Sequence, residues 1–402
     1  MTSSDVADTD ASRPCPVCSH SVREVLFQQI FEGVPGSHLV ERYDVVVCRE
    51  CGFSFADGIP DQTVLDAYYR DASKYEHAER GGKQSEGDLV RLTALADSLA
   101  KKVPVDSAVL DVGCSTGTLL ALLRDRGFRH LTGLDPSPMC AEIARREYDI
   151  EVWTGSLSAP PADGPVYDCL ILAAVLEHVR DLVDFLANTK RWLKPGGYMS
   201  VTVPDASHFV ATQNAPFQEF SVEHINFFGP ISLHNLMGAH GFIVCQTEQV
   251  VREIGRDVTG TELIATYRDA GVQSPWIRDN ESEPALRAYI TRCQEAEVKE
   301  QKLFRQLAEN RKPIIVWGVG THAQRLLATT PLAKANIVLF VDSNPKYQGK
   351  YLAGCPVVAP QALQGRTEPI LITSWTFFDE IQSQIRRDLA LTNEIIRIHV
   401  LR

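Results

Sequence analysis

The chain has 402 residues, of which 44% are hydrophobic and 23% charged, and its net charge at pH 7 is −11. This composition is typical of globular proteins, and the length predicts two or three domains. The acidic balance, without a run of five or six basic residues, disfavours a nucleic-acid partner, because contact with backbone phosphates depends on clustered Lys and Arg.

The first twelve residues, MTSSDVADTDAS, are polar and acidic, and residues 1–12 are predicted to be a disordered terminus. They lack the basic start and the apolar run of a secretory signal, and no stretch of the sequence has the apolar length of a membrane span. Six of the ten cysteines are scattered, mostly among apolar neighbours, which favours a reducing compartment. The sequence therefore predicts a cytoplasmic protein without a membrane partner.

Two Cys-x-x-Cys pairs mark residues 13–60 as a predicted zinc-binding module, whose ligands are Cys15, Cys18, Cys48 and Cys51. Residues 43–48 alternate like a strand that leads into the second pair. Four thiolates complete a tetrahedral site and leave no open position, so the predicted Zn²⁺ is structural.

Other interpretations of this module are a redox dithiol pair or chance spacing, and His20 or His38 could replace a ligand. A zinc ribbon that binds nucleic acid is a further alternative. Because the module carries few basic residues in an acidic chain, we favour a packing role.

Residues 61–104 carry apolar side chains at helical spacing and are predicted to form a helical lid or linker. Tyr75 and the Gly81-Gly82 pair lie between the two helical stretches. Tyr75 is the functional candidate, since it lies outside the apolar face. Tyr68 and Tyr69 are either lid residues or core residues of a short helix.

The stretch VLDVGCSTGTLL, residues 109–120, predicts a buried strand, a tight turn and a helix. Gly113 and Gly117 allow the turn, and Ser115 stands where a dinucleotide fold usually has its middle glycine. Asp111 at the strand tip offers an acceptor for a cationic ligand group, and the helix N-terminus offers donors for an anionic one.

A second predicted strand, 131–134, ends in Asp135, where an acidic side chain can accept both hydroxyls of a ribose. A third strand follows at 167–172, then a helix through Trp192 and a Leu-Lys-Pro-Gly-Gly stop. This series resembles the class I S-adenosylmethionine (SAM) methyltransferases. The resemblance implies an α/β Rossmann-like domain over residues 105–250 that binds SAM.

The same resemblance places the loop that touches adenine at Ser156 and Leu157. Strand ends in doubly wound folds face the ligand crevice, so the small residues Ala173 and Ala174 are predicted to form the floor of the SAM site. Glu177 and His178 come just after this floor. They are either an acid/base pair or residues that hydrogen-bond the local turn and cap the next helix, and we favour the second role.

The segment from Gln218 to Pro230 resembles the substrate-side insertion of many class I methyltransferases. It contains Glu223 and His224. A histidine held over the cofactor suits a general base, since its ordinary pKa lies near operating pH, although a structural role for His224 is an equal alternative. Ser232 is predicted to be the N-cap of the following helix.

Residues 251–311 are charged and are predicted to be a helical connector, with a buried stripe that includes Leu286 and Ile290. Residues 312–402 are predicted to form a smaller Rossmann-like domain of strand, glycine turn and helix. Its tip, which includes Gly318, Gly320 and Asp342, either holds a nucleotide diphosphate or is structural.

The whole arrangement resembles the zinc-containing nucleotide-sugar C-methyltransferases of antibiotic deoxysugar biosynthesis. The resemblance implies a zinc site at the four cysteines, SAM at residues 111–135, and catalysis by Glu223, His224 and Tyr75. It departs at one motif: the family usually reads Tyr-His-Glu-His, whereas this chain has Ser221-Val222-Glu223-His224.

The sequence therefore predicts a SAM-dependent methyltransferase that C-methylates a nucleotide-linked ketosugar through a His224 base and an enolate. The alternatives are O-methylation of a sugar or another natural-product hydroxyl, and a non-catalytic zinc-ribbon binding protein. The expected partner is a small molecule rather than a nucleic acid, and the expected state is a monomer or homodimer.

Overall fold

A computed structural model describes residues 12–35, 39–71, 86–155 and 166–398. The helices are α1 (Gln62–Asp71), α2 (Glu86–Ala100), α3 (Thr118–Asp125), α4 (Pro138–Tyr148), α5 (Leu182–Lys190), α6 (Pro230–Ala239), α7 (Ser282–Asn310), α8 (Thr321–Thr329) and α9 (Phe378–Ser383). Within these ranges, none of the helices has both the length and the apolarity that a bilayer span requires.

The strands of the first half are β1 (Arg23–Ile30), β2 (Arg42–Cys48), β3 (Ser54–Asp57), β4 (Ala108–Val112), β5 (His130–Asp135), β6 (Val152–Thr154), β7 (Tyr167–Ala173) and β8 (Leu193–Val203). Those of the second half are β9 (Asn226–Phe227), β10 (Phe242–Gly255), β11 (Val258–Asp269), β12 (Ile314–Trp317), β13 (Ile337–Val341), β14 (Tyr351–Leu352), β15 (Cys355–Val358), β16 (Ile370–Ile372) and β17 (Ile395–Arg397).

The central sheet has seven strands in the order β10-β11-β8-β7-β4-β5-β6. Strands β4 to β8 run parallel, and β11 is antiparallel to both β8 and β10. The parallel strands read as continuous apolar runs because helices cover both sheet faces, and Leu170, Ile171 and Leu172 of β7 are fully buried. This confirms the predicted class I methyltransferase fold.

The N-terminal sheet joins the cysteine module to a distant part of the chain. Strands β1, β2 and β3 pair antiparallel, and the fourth strand is β9. Residues 43–48 form a strand as predicted. Since β9 begins two residues after His224, β3 holds the chain directly after the Glu223–His224 pair that the sequence marked as catalytic.

Two local predictions are wrong. Residues 251–269 are not helical, because β10 and β11 form a long hairpin, and β11 lies inside the central sheet, so the methyltransferase domain extends beyond residue 250. β10 is an edge strand, and its polar and charged side chains, such as Glu248, Arg252 and Glu253, are exposed or partly exposed. Helix α6 begins at Pro230 after Gly229, and Ser232 sits within its first turn, where its hydroxyl bonds the backbone of Gly229.

The C-terminal sheet has the order β14-β15-β13-β12-β16-β17, and β15, β13, β12, β16 and β17 are mutually parallel. This confirms the predicted small Rossmann-like domain. Helix α7 joins the domains: Leu286 and Ile290 of the predicted stripe pack into the core under the N-terminal sheet, while Phe304 and Leu307 pack into the C-terminal core.

Candidate active site

A cavity of about 520 Å³ opens where the parallel strands β4, β5 and β7 end. Ligands of open α/β sheets bind in the crevice at the carboxyl ends of the strands, and this volume suits a ligand the size of a small cofactor with an acceptor. Eight predicted site residues line the cavity: Asp111, Gly113, Ser115, Asp135, Ala173, Ala174, Glu223 and His224.

The turn after β4 is shaped by backbone conformation. Gly117 has a φ of +77°, and a Cβ there would lie 3.0 Å from the Cβ of Ala144, so the turn needs glycine for both reasons. Gly117 itself does not line the cavity. Ser115 does, and it has a φ of +49°, a left-handed conformation that costs free energy in a non-glycine residue. Its N–H donates to Oδ2 of Asp135 at 2.8 Å.

Asp111 and Asp135 place two carboxyl groups side by side at the strand tips. Oδ1 of Asp111 is buried and accepts no hydrogen bond from the described residues. Burial and then the neighbouring Asp135 charge raise the pKa of Asp111 to about 7. Oδ1 of Asp135 accepts from the N–H of Ser137 at 2.9 Å. The arrangement offers Asp111 to a cationic ligand group.

The floor of the cavity is formed by small residues at the end of β7. Both Ala173 and Ala174 line it, and Ala174 has a φ of +58°. Its N–H donates to the carbonyl of Thr202 on the neighbouring β8 at 2.9 Å. A bound cofactor can approach the backbone closely here because no long side chain intervenes.

A second group of side chains forms the opposite end of the cavity: Glu177, His178, Glu223 and His224. Nδ1 of His178 lies 3.0 Å from the carbonyl oxygen of Glu223 and 3.0 Å from the hydroxyl of Tyr69. The His178 and His224 rings meet edge to face with centroids 5.1 Å apart. His178 therefore contacts α1 and the 223–224 segment, which corrects the preferred prediction of a purely local role.

Helix α1 brings two tyrosines to this end. The hydroxyl of Tyr68 donates to Oε1 of Glu223 at 3.0 Å, and Tyr69 contacts His178. Burial and the Glu223 carboxylate raise the pKa of Tyr68 well above its ordinary value. Both Tyr68 and Tyr69 are therefore only partly buried, and the hydroxyl of each contacts a residue of the candidate active site. Their helical spacing alone held no signal of these partners.

Arg13 of the N-terminal module contacts the chain next to both parts of this group, after the turn at residues 176–178 and after His224. Its buried guanidinium donates to the carbonyls of Ala56, Arg180 and Ile225, and to Oδ1 of Asn226, at 2.9 to 3.1 Å. Burial lowers the pKa of Arg13 to about 9. No sequence motif marked Arg13, because its partners lie up to 213 residues away.

No described residue of the C-terminal domain lines the cavity, but Tyr347 of that domain lies near Glu223. Burial, followed by the charges of Asp342 and Glu223, raises the pKa of Tyr347 to about 12. Tyr347 lies between β13 and β14, next to the predicted tip of that domain. There Oδ2 of Asp342 accepts from the N–H of Val319 at 3.0 Å.

The cavity wall is strongly acidic. Seven carboxylates and two arginines line it: Asp66, Asp88, Asp111, Asp135, Glu177, Glu223 and Glu262, with Arg70 and Arg91. Arg91 forms ion pairs with Asp88 at 3.8 Å and with Glu262 at 3.6 Å. A net excess of negative charge favours cationic ligands.

The four predicted zinc ligands lie together, away from the cavity lining. The Sγ atoms of Cys15 and Cys51 are 3.5 Å apart, as are those of Cys18 and Cys48. Thiolates around one tetrahedral zinc are about 3.8 Å apart, so small shifts would accommodate the ion. Hydrogen bonds from Cys15 and Cys51 lower the pKa of the Cys48 thiol.

Some predicted positions lie outside the described residues: His38, Tyr75, Ser156 and Leu157. The two residues directly before Ser156, which are Thr154 and Gly155, are described and line the cavity. Of the predicted catalytic set, the structure thus brings together Glu223 and His224.

Two family matches agree with this division of the chain. Residues 86–247 match the family described as "Methyltransferase domain", and residues 310–396 match the family described as "C2185-like, N-terminal". The first match covers α2 and the central sheet as far as β10, and the second covers the C-terminal sheet.

Related proteins match the same central region. A probable S-adenosylmethionine-dependent methyltransferase of Mycolicibacterium smegmatis is 26% identical over 42% of this chain and 66% of its own length. A ubiquinone biosynthesis O-methyltransferase of Methylocella silvestris is 28% identical over 32% of this chain and 50% of its own length. The chain thus spans about half to two thirds of these relatives.

Among solved structures, the 1,6-didemethyltoxoflavin-N1-methyltransferase of Burkholderia thailandensis, with bound S-adenosylhomocysteine, is 18% identical, with a TM-score of 0.41. The match covers 56% of this chain and 97% of that protein. The strand order and the matched family together define the central unit as a class I methyltransferase domain.

Proposed function

We propose that this protein is a SAM-dependent methyltransferase acting on a small-molecule acceptor. The observation that carries the proposal is the single cavity in which Asp111, Ser115, Asp135 and Ala174 face the Glu223–His224 segment. Asp111 would accept the ammonium group of SAM, Asp135 would hold the ribose hydroxyls, and the alanine floor would admit the reacting methyl group. Ser156 and Leu157 remain proposed contacts of the adenine.

We further propose a structural Zn²⁺ held by Cys15, Cys18, Cys48 and Cys51. Four sulfur ligands close the coordination sphere, so the ion would stabilise the N-terminal module and supply no reacting group. The module's own residues do the rest: β3 pairs with β9 and Arg13 bonds the Ile225 carbonyl, which positions the catalytic segment.

For the acceptor, we propose a nucleotide-linked ketosugar methylated on carbon. His224 removes a proton from the carbon next to the ketone, the resulting enolate carbon attacks the methyl group, and the C–S bond to the cofactor breaks. The products are a C-methyl sugar and S-adenosylhomocysteine, and the proton rests on His224. Glu223 and Tyr75 complete the proposed catalytic set.

Support for a nucleotide-linked acceptor comes from the placement of the C-terminal domain. Tyr347, five residues after Asp342, lies close enough to Glu223 for that carboxylate to affect the pKa of the phenol, although no described residue of this domain lines the cavity. A nucleotide diphosphate held at the tip near Gly318 and Asp342 would keep its phosphates outside the acidic cavity while the sugar enters it.

O-methylation is the second candidate, and one finding favours it: the Methylocella silvestris relative bears the name of an O-methyltransferase. A histidine base next to an aligned hydroxyl serves this reaction equally well. In that case the O–H proton passes to His224 and the oxygen takes the methyl group.

In the deciding experiment, the protein is incubated in deuterated water with SAM and nucleotide-linked sugars, with and without a 4-keto group, and the product masses are measured. Methylation of ketosugars alone, with solvent deuterium entering the α-carbon of unreacted substrate, is expected for an enolate. Methylation of the non-keto sugars would instead show O-methylation. If no sugar is methylated although SAM binds, the acceptor is another small molecule.

A further inference from the structure

Three side chains at the acceptor end form a compact set of metal-ligating groups. Glu177, His178 and His224 each offer one donor atom, and these atoms lie within 4.8 Å of one another. Glu177 is only 1% exposed, and all three residues line the cavity. The set is therefore both close enough to share an ion and open to a ligand.

The hydrogen bonds of His178 determine which ring nitrogen is available. The carbonyl oxygen of Glu223 can only accept and the Tyr69 hydroxyl can accept or donate, so a proton on Nδ1 of His178 is the arrangement that satisfies both 3.0 Å contacts. In the neutral ring, Nε2 then carries a lone pair, and it lies 3.8 Å from Oε1 of Glu177. Metal-ligating histidines usually donate their other N–H to a carbonyl or carboxylate in this way.

The backbone around these groups is held from several directions. The N–H of Ile225 donates to the carbonyl of Glu177 at 2.8 Å. The amide of Asn226 donates to the carbonyls of Leu176 and Val179, both at 2.7 Å. The two chain segments that carry the three groups are thus bonded to each other, which preorganises the set.

The charge of the cavity supplies an independent observation. Seven carboxyl groups and two arginines line the cavity, so even with Asp111 protonated the negative charges exceed the arginines by four, whereas SAM, with one sulfonium, one ammonium and one carboxylate, contributes a single net positive charge. A divalent cation at the acceptor end would offset much of the remaining excess around Glu177 and Glu223.

We propose that Glu177, His178 and His224 bind one first-row divalent metal ion. Two imidazoles and one carboxylate suit ions such as Zn²⁺, Co²⁺ or Mn²⁺ better than Ca²⁺, which prefers oxygen ligands alone. Three protein ligands leave coordination positions that face the cavity, in contrast to the closed set of four cysteines. An oxygen of the acceptor takes one of these positions.

The inference rests on the proposed methyl transfer and changes only its proton-transfer step. A metal-bound ketone or hydroxyl oxygen makes the neighbouring C–H, or its own O–H, more acidic. With His224 donating its lone pair to the ion, the proton passes to the Glu223 carboxylate. The acceptor then takes the methyl group and the C–S bond breaks as before.

The test is a titration of the zinc-loaded protein with Co²⁺, followed by visible absorption and by metal content per chain. We expect one Co²⁺ in addition to zinc, without the intense charge-transfer bands of cobalt thiolates. In His224→Ala and Glu177→Gln, Co²⁺ affinity should fall at least about 100-fold. The control His130→Ala changes an exposed residue at the opposite end of β5 and should keep the affinity.

The SAM affinity of each variant shows whether its cofactor end is folded. Absence of a Co²⁺ site, or unchanged affinity in both variants, overturns the metal proposal. Full turnover after mobile metals are removed, with zinc still on the cysteines, also overturns it but leaves methyl transfer intact. Conversely, one bound Co²⁺ without SAM binding would retain the metal site and reject the proposed function.

Discussion

The two ends of the cavity are built in different ways. The cofactor end comes from consecutive strand tips of one sheet, β4, β5 and β7, with each functional residue at or beside its own strand. The acceptor end is assembled from α1, the turn at residues 176–178 and the segment before β9. It depends on contacts between residues that are 45 to 155 positions apart in the chain.

This difference separates binding from catalysis. Destabilising the N-terminal module should displace the acceptor end, because β3 pairs with β9 and Arg13 contacts Ile225, and should leave the cofactor end largely intact. The following predictions test that separation, beginning with the largest expected effect.

Removal of zinc should have the greatest effect on stability. Structural zinc sites contribute on the order of 10 kcal/mol of apparent binding free energy, which becomes folding free energy. We expect chelated, reduced protein to melt at a lower temperature and to lose turnover to a greater extent than SAM affinity. Calorimetry with parallel SAM titration measures both. An unchanged Tm in metal-free protein would reject the structural zinc.

His224→Ala should reduce turnover by roughly 10² to 10⁴, because His224 is the proposed base or, with a metal bound, a ligand of the ion that makes the acceptor more acidic. SAM affinity should be unchanged, since the cofactor end does not depend on this ring. Steady-state kinetics with isothermal titration of SAM measure the two effects, and His130→Ala is the matched control. Equal turnover in the two variants would remove His224 from the reaction and favour His178 or Tyr75.

Arg13→Ala should destabilise the fold by about 3 kcal/mol, because it leaves the buried carbonyls of Ala56, Arg180 and Ile225 without their shared donor. Turnover of the folded fraction should also fall. Urea unfolding is the measurement. Arg129→Ala, which removes a side chain that is 76% exposed, should change stability by less than about 0.5 kcal/mol. Similar losses in both variants would contradict the role of Arg13.

Asp111 should make SAM binding depend on pH. Its pKa of about 7 means that the ammonium-accepting carboxylate forms only as pH rises, so SAM affinity should increase up to about fivefold from pH 6 to 7. Asp111→Asn should bind more weakly and without this dependence. Titration calorimetry in buffers of different ionisation enthalpy would also show proton release in the wild type alone.

The same carboxyl affects the cofactor-free fold in the opposite direction. Its folded-state pKa of about 7 exceeds the ordinary 3.8, so ionisation costs the folded state more than the unfolded one. Its contribution to stability is fully present below pH 3.8 and is lost as pH rises through about 7. If stability falls from pH 4 to 7 as much in Asp111→Asn as in the wild type, this assignment is wrong.

The sequence by itself determined the elements with local causes. Apolar runs marked β4, β5 and β7, and glycine turns with acids at strand tips marked Asp111 and Asp135, because parallel strands buried on both faces leave a clear pattern. The spacing of the four cysteines likewise predicted a cluster that the structure brings together. These signals lie within a few residues of the groups that they identify.

Only the tertiary structure decided the rest. The charged sequence of residues 251–269 predicted a helix, but these residues belong to the β10–β11 hairpin, whose outer strand lies at a sheet edge and exposes polar side chains. The position of β11 in the central sheet follows from its pairing with β8. Tyr68, Tyr69 and Arg13 carry no motif, since their partners come from remote segments. The association of Glu177, His178 and His224 likewise arises from the hydrogen bonds that join two chain segments 45 residues apart.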